Sequence, residues 1–181
     1  MEMLQNKLRR GFTLIELMMA IVIIGILAVL LFPAIGSIRS RVEKVRCVAN
    51  LRSLYAASSL YVQQKGHWPQ IDAKLIATDK KAHAKAWIAA LEPMGVSANA
   101  WICPTIQHNA NGPDFLQEDS IRIDYIPMPF DSKEMTPYRW PSQPWFIENS
   151  DVHGNGNLLI FTDGTVRELN DVKKSPPPSS R

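Results

Sequence analysis

Only two cysteines occur in this 181-residue chain, at positions 47 and 103, and no CxxC spacing suggests a local zinc or redox motif. There is no phosphate-cradling glycine loop, no glycine pattern of a nucleophile elbow and no visible pair of carboxylates placed for acid–base work. The four histidines, at 67, 83, 108 and 153, share no spacing. The chain therefore carries no local signature of catalysis and is read as a non-enzyme. Charge of one sign is also scarce. The formal net charge is +3 with 20% charged residues, and the basic side chains gather at the two ends of one apolar run instead of forming a stripe interleaved with aromatics. That is not the footprint of a nucleic-acid binder. No internal repeat is present.

What the chain does have is a long apolar segment near its start. From Phe12 to Phe32 only Thr13 and Glu16 are clearly polar. About twenty residues at ~1.5 Å each make a helix of roughly 30 Å, the hydrocarbon thickness of a bilayer. The segment can cross a membrane. Glu16 is the odd residue, since a carboxylate in such a helix costs on the order of 3 kcal/mol on insertion scales. It calls for a positive partner. Lys7, Arg9 and Arg10 precede the run while Arg39, Arg41, Lys44 and Arg46 follow it, so the positive-inside count alone does not orient it. A secretory signal cleaved at Ala34-Ile35-Gly36 is the rival reading, although an acid near the start of the run has no purpose in a segment destined for removal.

The basic leader, Gly11, the hexapeptide Phe12-Thr13-Leu14-Ile15-Glu16-Leu17 and an Ile/Val/Leu run closed by Pro33 resemble the N-terminus of type IV pilins and type II secretion pseudopilins. The resemblance implies that a prepilin peptidase cuts after Gly11 and methylates the new amino group of Phe12. It also implies that Glu16 pairs with the Phe12 ammonium of a neighbouring subunit as helices bundle into a filament. Two opposite charges in a low-dielectric layer stabilise one another only when brought together, so the physics points the same way. The implied partners are other pilin-like subunits, the peptidase, inner-membrane assembly machinery and membrane lipid. The implied location is a single pass through the inner membrane, N-terminus cytoplasmic and head periplasmic or extracellular.

Beyond Pro33, which should kink or loosen the helix without ending it, a face of mostly apolar residues recurs at steps of three and four: Ile38, Val42, Val45, Val48, Leu51, Leu54, Tyr55, Ser58, Tyr61, Val62. One long helix is expected to about Lys65, stopped by Gly66. Asp79 should cap a second helix carrying Ala82, Ala86, Trp87, Ala90 and Leu91, stopped by Pro93 to Gly95. Trp101 to Pro104 makes a short apolar piece before a polar loop over 107–119. Alternation at Ile121, Ile123 and Tyr125 predicts a strand ended by Pro127 and Pro129; a proline-rich loop over 131–144 and a strand at Trp145 to Ile147 follow. Leu158 to Thr162, Asp163-Gly164 and Thr165 to Leu169 predict a hairpin with a two-residue type I′ turn. The fold class is thus α+β and pilin-like: a cleaved leader at 1–11, a transmembrane or filament-core helix at 12–36, an amphipathic stalk helix at 37–66, a small head at 67–170 with a second helix and an antiparallel sheet, and a disordered tail at 171–181.

Three candidate features remain on the head. In an oxidising compartment Cys47 and Cys103 could form one bridge, worth a few kcal/mol through the long loop it closes; the alternative is two buried thiols. His153 precedes Asp163-Gly164 with nine residues between, which resembles a C-terminal element found on many prepilin-like proteins; the stretch from Cys47 to Tyr61 and Ile102-Cys103-Pro104 also resemble that group. These are assigned turn-forming roles first. The functional alternative is a divalent cation, calcium by analogy with some pseudopilins, held by Asp151, His153 and Asp163 with Glu148, although histidine does not favour calcium. Five tryptophans, at 68, 87, 101, 140 and 145, read as core packing, with Trp140 and Trp145 as the alternative of an aromatic binding surface on a membrane-tethered extracytoplasmic binding protein that does not assemble.

Overall fold

The computed structural model describes residues 12–109 and 120–175; Gly11 and the leader, most of the expected polar loop and the last six positions lie outside them. The chain divides into two units between Arg39 and Ser40. Helix α1, Leu14–Lys65, runs on through Pro33. Side chains at 30–37 are outside the described residues. Among the described residues no helix is long and apolar enough to cross a membrane, and the expected span at 12–36 extends into that undescribed stretch.

In the second unit the late part of α1 presents one fully buried stripe, Cys47, Leu51, Leu54, Ser58 and Val62, at the three- and four-residue steps of a helix face. Ile38, Val42 and Val45, placed on that face by the sequence pattern, are exposed. Gly66 adopts a left-handed φ of 80° and its N–H closes on the Val62 carbonyl, ending the helix where expected. A short helix α2 (Leu75–Thr78) leads into α3 (Lys80–Leu91), whose Asp79 cap accepts the Ala82 N–H at 2.9 Å. The buried face of α3 is His83, Ala84, Trp87 and Leu91.

Strands β1 (Tyr125–Pro127), β2 (Phe146–Glu148), β3 (Leu158–Ile160) and β4 (Val166–Glu168) form one antiparallel sheet in the order β1-β2-β3-β4. All three residues of β3 are buried. Pro127, which cannot donate to a ladder, is tolerated because β1 is an edge strand. Four of the five tryptophans join the core, with Trp68 at the centre: its ring lies 5.7 Å from Trp87, 5.1 Å from Phe130, 5.2 Å from Trp145 and 5.9 Å from Phe146. The α+β class is as expected.

Local details depart from the sequence reading. The strand expected from Ile121 begins only at Tyr125, because Asp124 is turned inward to accept the Cys103 N–H at 2.9 Å. Pro104–Asn109 is a helix, α4, where a loop was expected from 107; proline's fixed φ suits a first helical position. Thr136–Arg139 forms one helical turn, α5, inside the expected loop. The hairpin turn is not type I′. That turn needs positive φ at both central residues, and Met135 is the only such non-glycine residue described. Instead the Gly164 N–H bonds the Phe161 carbonyl and the Phe161 N–H bonds the Thr165 carbonyl, a three-residue loop with Gly164 left-handed at φ 74°. The expected disordered tail is corrected in its first part: Leu169–Lys174 forms α6, anchored where the Leu169 N–H meets the Asn157 carbonyl and the Asn170 N–H meets the Asn155 carbonyl.

Candidate functional site

Two places concentrate chemistry. The first is the start of α1. The Thr13 N–H and hydroxyl both donate to Glu16 Oε2, at 2.9 and 2.8 Å, while the Glu16 N–H donates back to Thr13 Oγ1 at 3.3 Å. This reciprocal pair is a capping box, and its Thr-x-x-Glu signature could have been read from the sequence. Both bonds to the carboxylate use Oε2, so the cap and an outside cation are not competing for one oxygen. Around it the helix is apolar on every side: Phe12 is 82% exposed, and Leu14, Ile15, Leu17, Met18, Ile21, Val22, Ile24 and Val29 are all exposed.

The second place lies inside the head. The Sγ atoms of Cys47 and Cys103, a carboxylate oxygen of Glu148 and a ring nitrogen of His153 all lie within 4.8 Å of one another. Four elements deliver them: Cys47 from the buried stripe of α1, Cys103 from the residue before α4, Glu148 from the end of β2, and His153 from the loop between β2 and β3. Both cysteines are free thiols and fully buried. The side chains of His153 and Glu148 are 3% and 0% exposed, with Nε2 and Oε1 3.2 Å apart, and His153 Nε2 is 3.9 Å from Cys103 Sγ.

Backbone and outer side chains fix each member. The Cys103 N–H is held by Asp124, itself bonded by Arg122 Nε at 3.1 Å, and Asn50 Nδ2 donates to the Ile102 carbonyl at 2.9 Å. Asn157 Nδ2 donates to the Glu148 carbonyl at 2.7 Å, and the Leu158 N–H reaches Glu148 Oε2 at 3.4 Å. Asp151 accepts the Gly154 N–H at 3.1 Å, shaping the loop that carries His153.

The electrostatics follow from this crowding. Hydrogen bonding between the thiols draws Cys47 below the ordinary thiol range, while the same bond and burial push Cys103 well above it. Burial opposes charge on His153, but its bonds to Cys103 and Glu148, with the Glu148 charge, outweigh that and raise it to about 9. The Tyr125 hydroxyl is buried beside Cys47; burial and the neighbouring thiols push its pKa up.

Of the residues singled out from sequence, His153 and Glu148 come together with the two cysteines. Asp151 and Asp163 do not join them. Asp163 instead sits in the hairpin turn, accepting the Thr165 N–H at 2.9 Å and its hydroxyl at 2.6 Å. The aromatic surface is corrected too: Trp140 is 52% exposed, but Trp145 is core, its ring tilted against Tyr55 with centroids 4.7 Å apart and its Nε1 donating to Thr162 Oγ1.

Residues 6–32 match the prokaryotic N-terminal methylation motif. Among curated proteins, the chain is 38% identical over 63 residues to the type IV major pilin protein PilA of Myxococcus xanthus, covering 35% of this chain and 29% of that protein. It is 38% identical over 61 residues to the type II secretion system core protein G of Escherichia coli, covering 34% and 42%. To core protein G of Pectobacterium carotovorum it is 30% identical over 94 residues, covering 52% and 57%. The chain thus spans between about a third and somewhat over half of the relatives it matches. No solved structure matches it. The chain is pilin- or pseudopilin-like.

Proposed function

We propose that the protein is a structural subunit, not an enzyme, of a type IV pilus-like or type II secretion pseudopilus filament. In this reading it is inserted in the inner membrane with its N-terminus cytoplasmic, cut after Gly11, methylated on Phe12 and assembled through α1 with other pilin-like subunits. The observation that carries the proposal is the start of α1: a helix apolar all round, whose one acid lies a single turn from the new N-terminus. A helix with no polar face needs apolar surroundings, lipid before assembly and neighbouring helices after it. Glu16 then has a partner only when another subunit brings its Phe12 ammonium.

The capping box supplies a sharper test than simple deletion. Glu16→Ala removes both cap and charge, whereas Glu16→Gln keeps a capping amide and removes the charge alone. Both variants should insert and be cleaved, and both should fail to assemble when sheared filaments are assayed. Normal assembly of Glu16→Gln would show that the carboxylate serves only the helix end. The alternative of a tethered binding protein has lost much of its surface, since Trp145 is buried.

A further inference from the structure

We propose that Cys47, Cys103, Glu148 and His153 form a structural zinc site that ties α1 to the sheet of the head. The sequence reading took Cys47 and Cys103 as one pair and His153 with Glu148 as part of another set; it did not join them, because the four are scattered along the chain. The structure brings together four donors, two sulfurs, one nitrogen and one oxygen, within 4.8 Å of one another. Zinc–sulfur bonds of about 2.3 Å and zinc–nitrogen bonds of about 2.0 Å in a tetrahedron place ligand atoms roughly 3.3–3.8 Å apart. The His153 Nε2 to Glu148 Oε1 separation of 3.2 Å and the His153 Nε2 to Cys103 Sγ separation of 3.9 Å already sit near those values.

Donor chemistry selects the metal. Thiolates and imidazole favour zinc, whereas calcium takes six or more oxygens, which this cluster does not supply. The surroundings also fit. A disulfide would account for only two of the four residues that meet here. Tyr125, whose buried hydroxyl lies beside Cys47, would donate to that sulfur as a thiolate ligand, an outer contact of the kind that orients metal-bound sulfur. A cleft of about 230 Å³ lined by Ser40, Arg41, Lys44, Thr105, Val152 and His153 lies beside the His153 ligand.

The test uses the full-length chain purified in detergent without reductant or chelator. Metal analysis should find about one zinc per chain, and exchange for cobalt should give the visible and thiolate charge-transfer bands of a tetrahedral site. Cys103→Ser and His153→Ala should lose the zinc, Tyr125→Phe should weaken it about tenfold, and Asp151→Asn and Asp163→Asn should keep it. Glu148→Gln, which preserves volume, guards against misfolding: it should retain the helical circular dichroism of the wild type and still bind zinc more weakly. A chain that purifies without zinc overturns the proposal, whether its thiols are free or its intact mass is lower by two hydrogens with Cys47 bonded to Cys103. So does zinc that survives both Cys103→Ser and His153→Ala. Neither outcome bears on filament assembly, which the Glu16 variants report separately.

Discussion

Gly156 shows how narrowly single positions are determined. Its φ is 86°, and an added Cβ would stand 2.9 Å from the Leu169 Cβ at the start of α6. Left-handed backbone costs a non-glycine residue roughly 1–2 kcal/mol, and the clash adds to it. Gly156→Ala should therefore lower stability by about 2 kcal/mol or more, read as a falling melting temperature in the fluorescence of the buried tryptophans. His83 gives a pH dependence. Trp87 Nε1 donates to its Nε2 at 3.1 Å, so that nitrogen must be unprotonated, and burial lowers its pKa from 6.5. A depressed folded-state pKa means stability that is present above pH ~6.5 and lost as pH falls below it, because the unfolded chain takes up the proton first. Melting temperature should decline on acidification through that window, and His83→Gln should flatten part of the decline; equal slopes in both proteins would refute the assignment. Neither residue was legible as such in the sequence. A glycine's φ and a histidine's burial depend on what other segments pack against them.

At the scale of elements, legibility followed locality. The end of α1 at Gly66 and the Asp79 cap of α3 were readable because a helix end is specified by residues within one turn of it. Asp79→Ala should cost about 1 kcal/mol, measured in the same melting assay, without touching either candidate site. The hairpin was located correctly while its turn was not, because Asp-Gly serves both two- and three-residue loops and the register of Ile160 with Val166 decides between them. The shift of β1 has a longer-range cause: Asp124 is pulled inward by the Cys103 backbone, a contact between positions 21 apart that no strand period records. The same holds for α6, whose hold on the Asn155 to Asn157 loop lets a polar segment fold that composition alone assigns to a disordered tail. An ion pair between Lys44 of α1 and Glu168 of β4 adds a further tie between helix and sheet within the head.

For the molecule as a whole, two kinds of information are separated along the chain. The N-terminal segment carries its signature in contiguous residues, which is why the methylation motif matches at residues 6–32. The head carries its character in residues that meet only on folding, such as Cys47, Cys103, Glu148 and His153, and no linear pattern joins the four. The central claim concerns the first of these: the apolar helix is retained, and its start is newly made by cleavage. The most direct measurement is the N-terminus of the mature protein isolated from its own membranes, determined by peptide sequencing with mass spectrometry. The account expects a chain beginning at N-methylated Phe12; a chain beginning at Met1, or at Ser37 with the apolar helix gone, would contradict it.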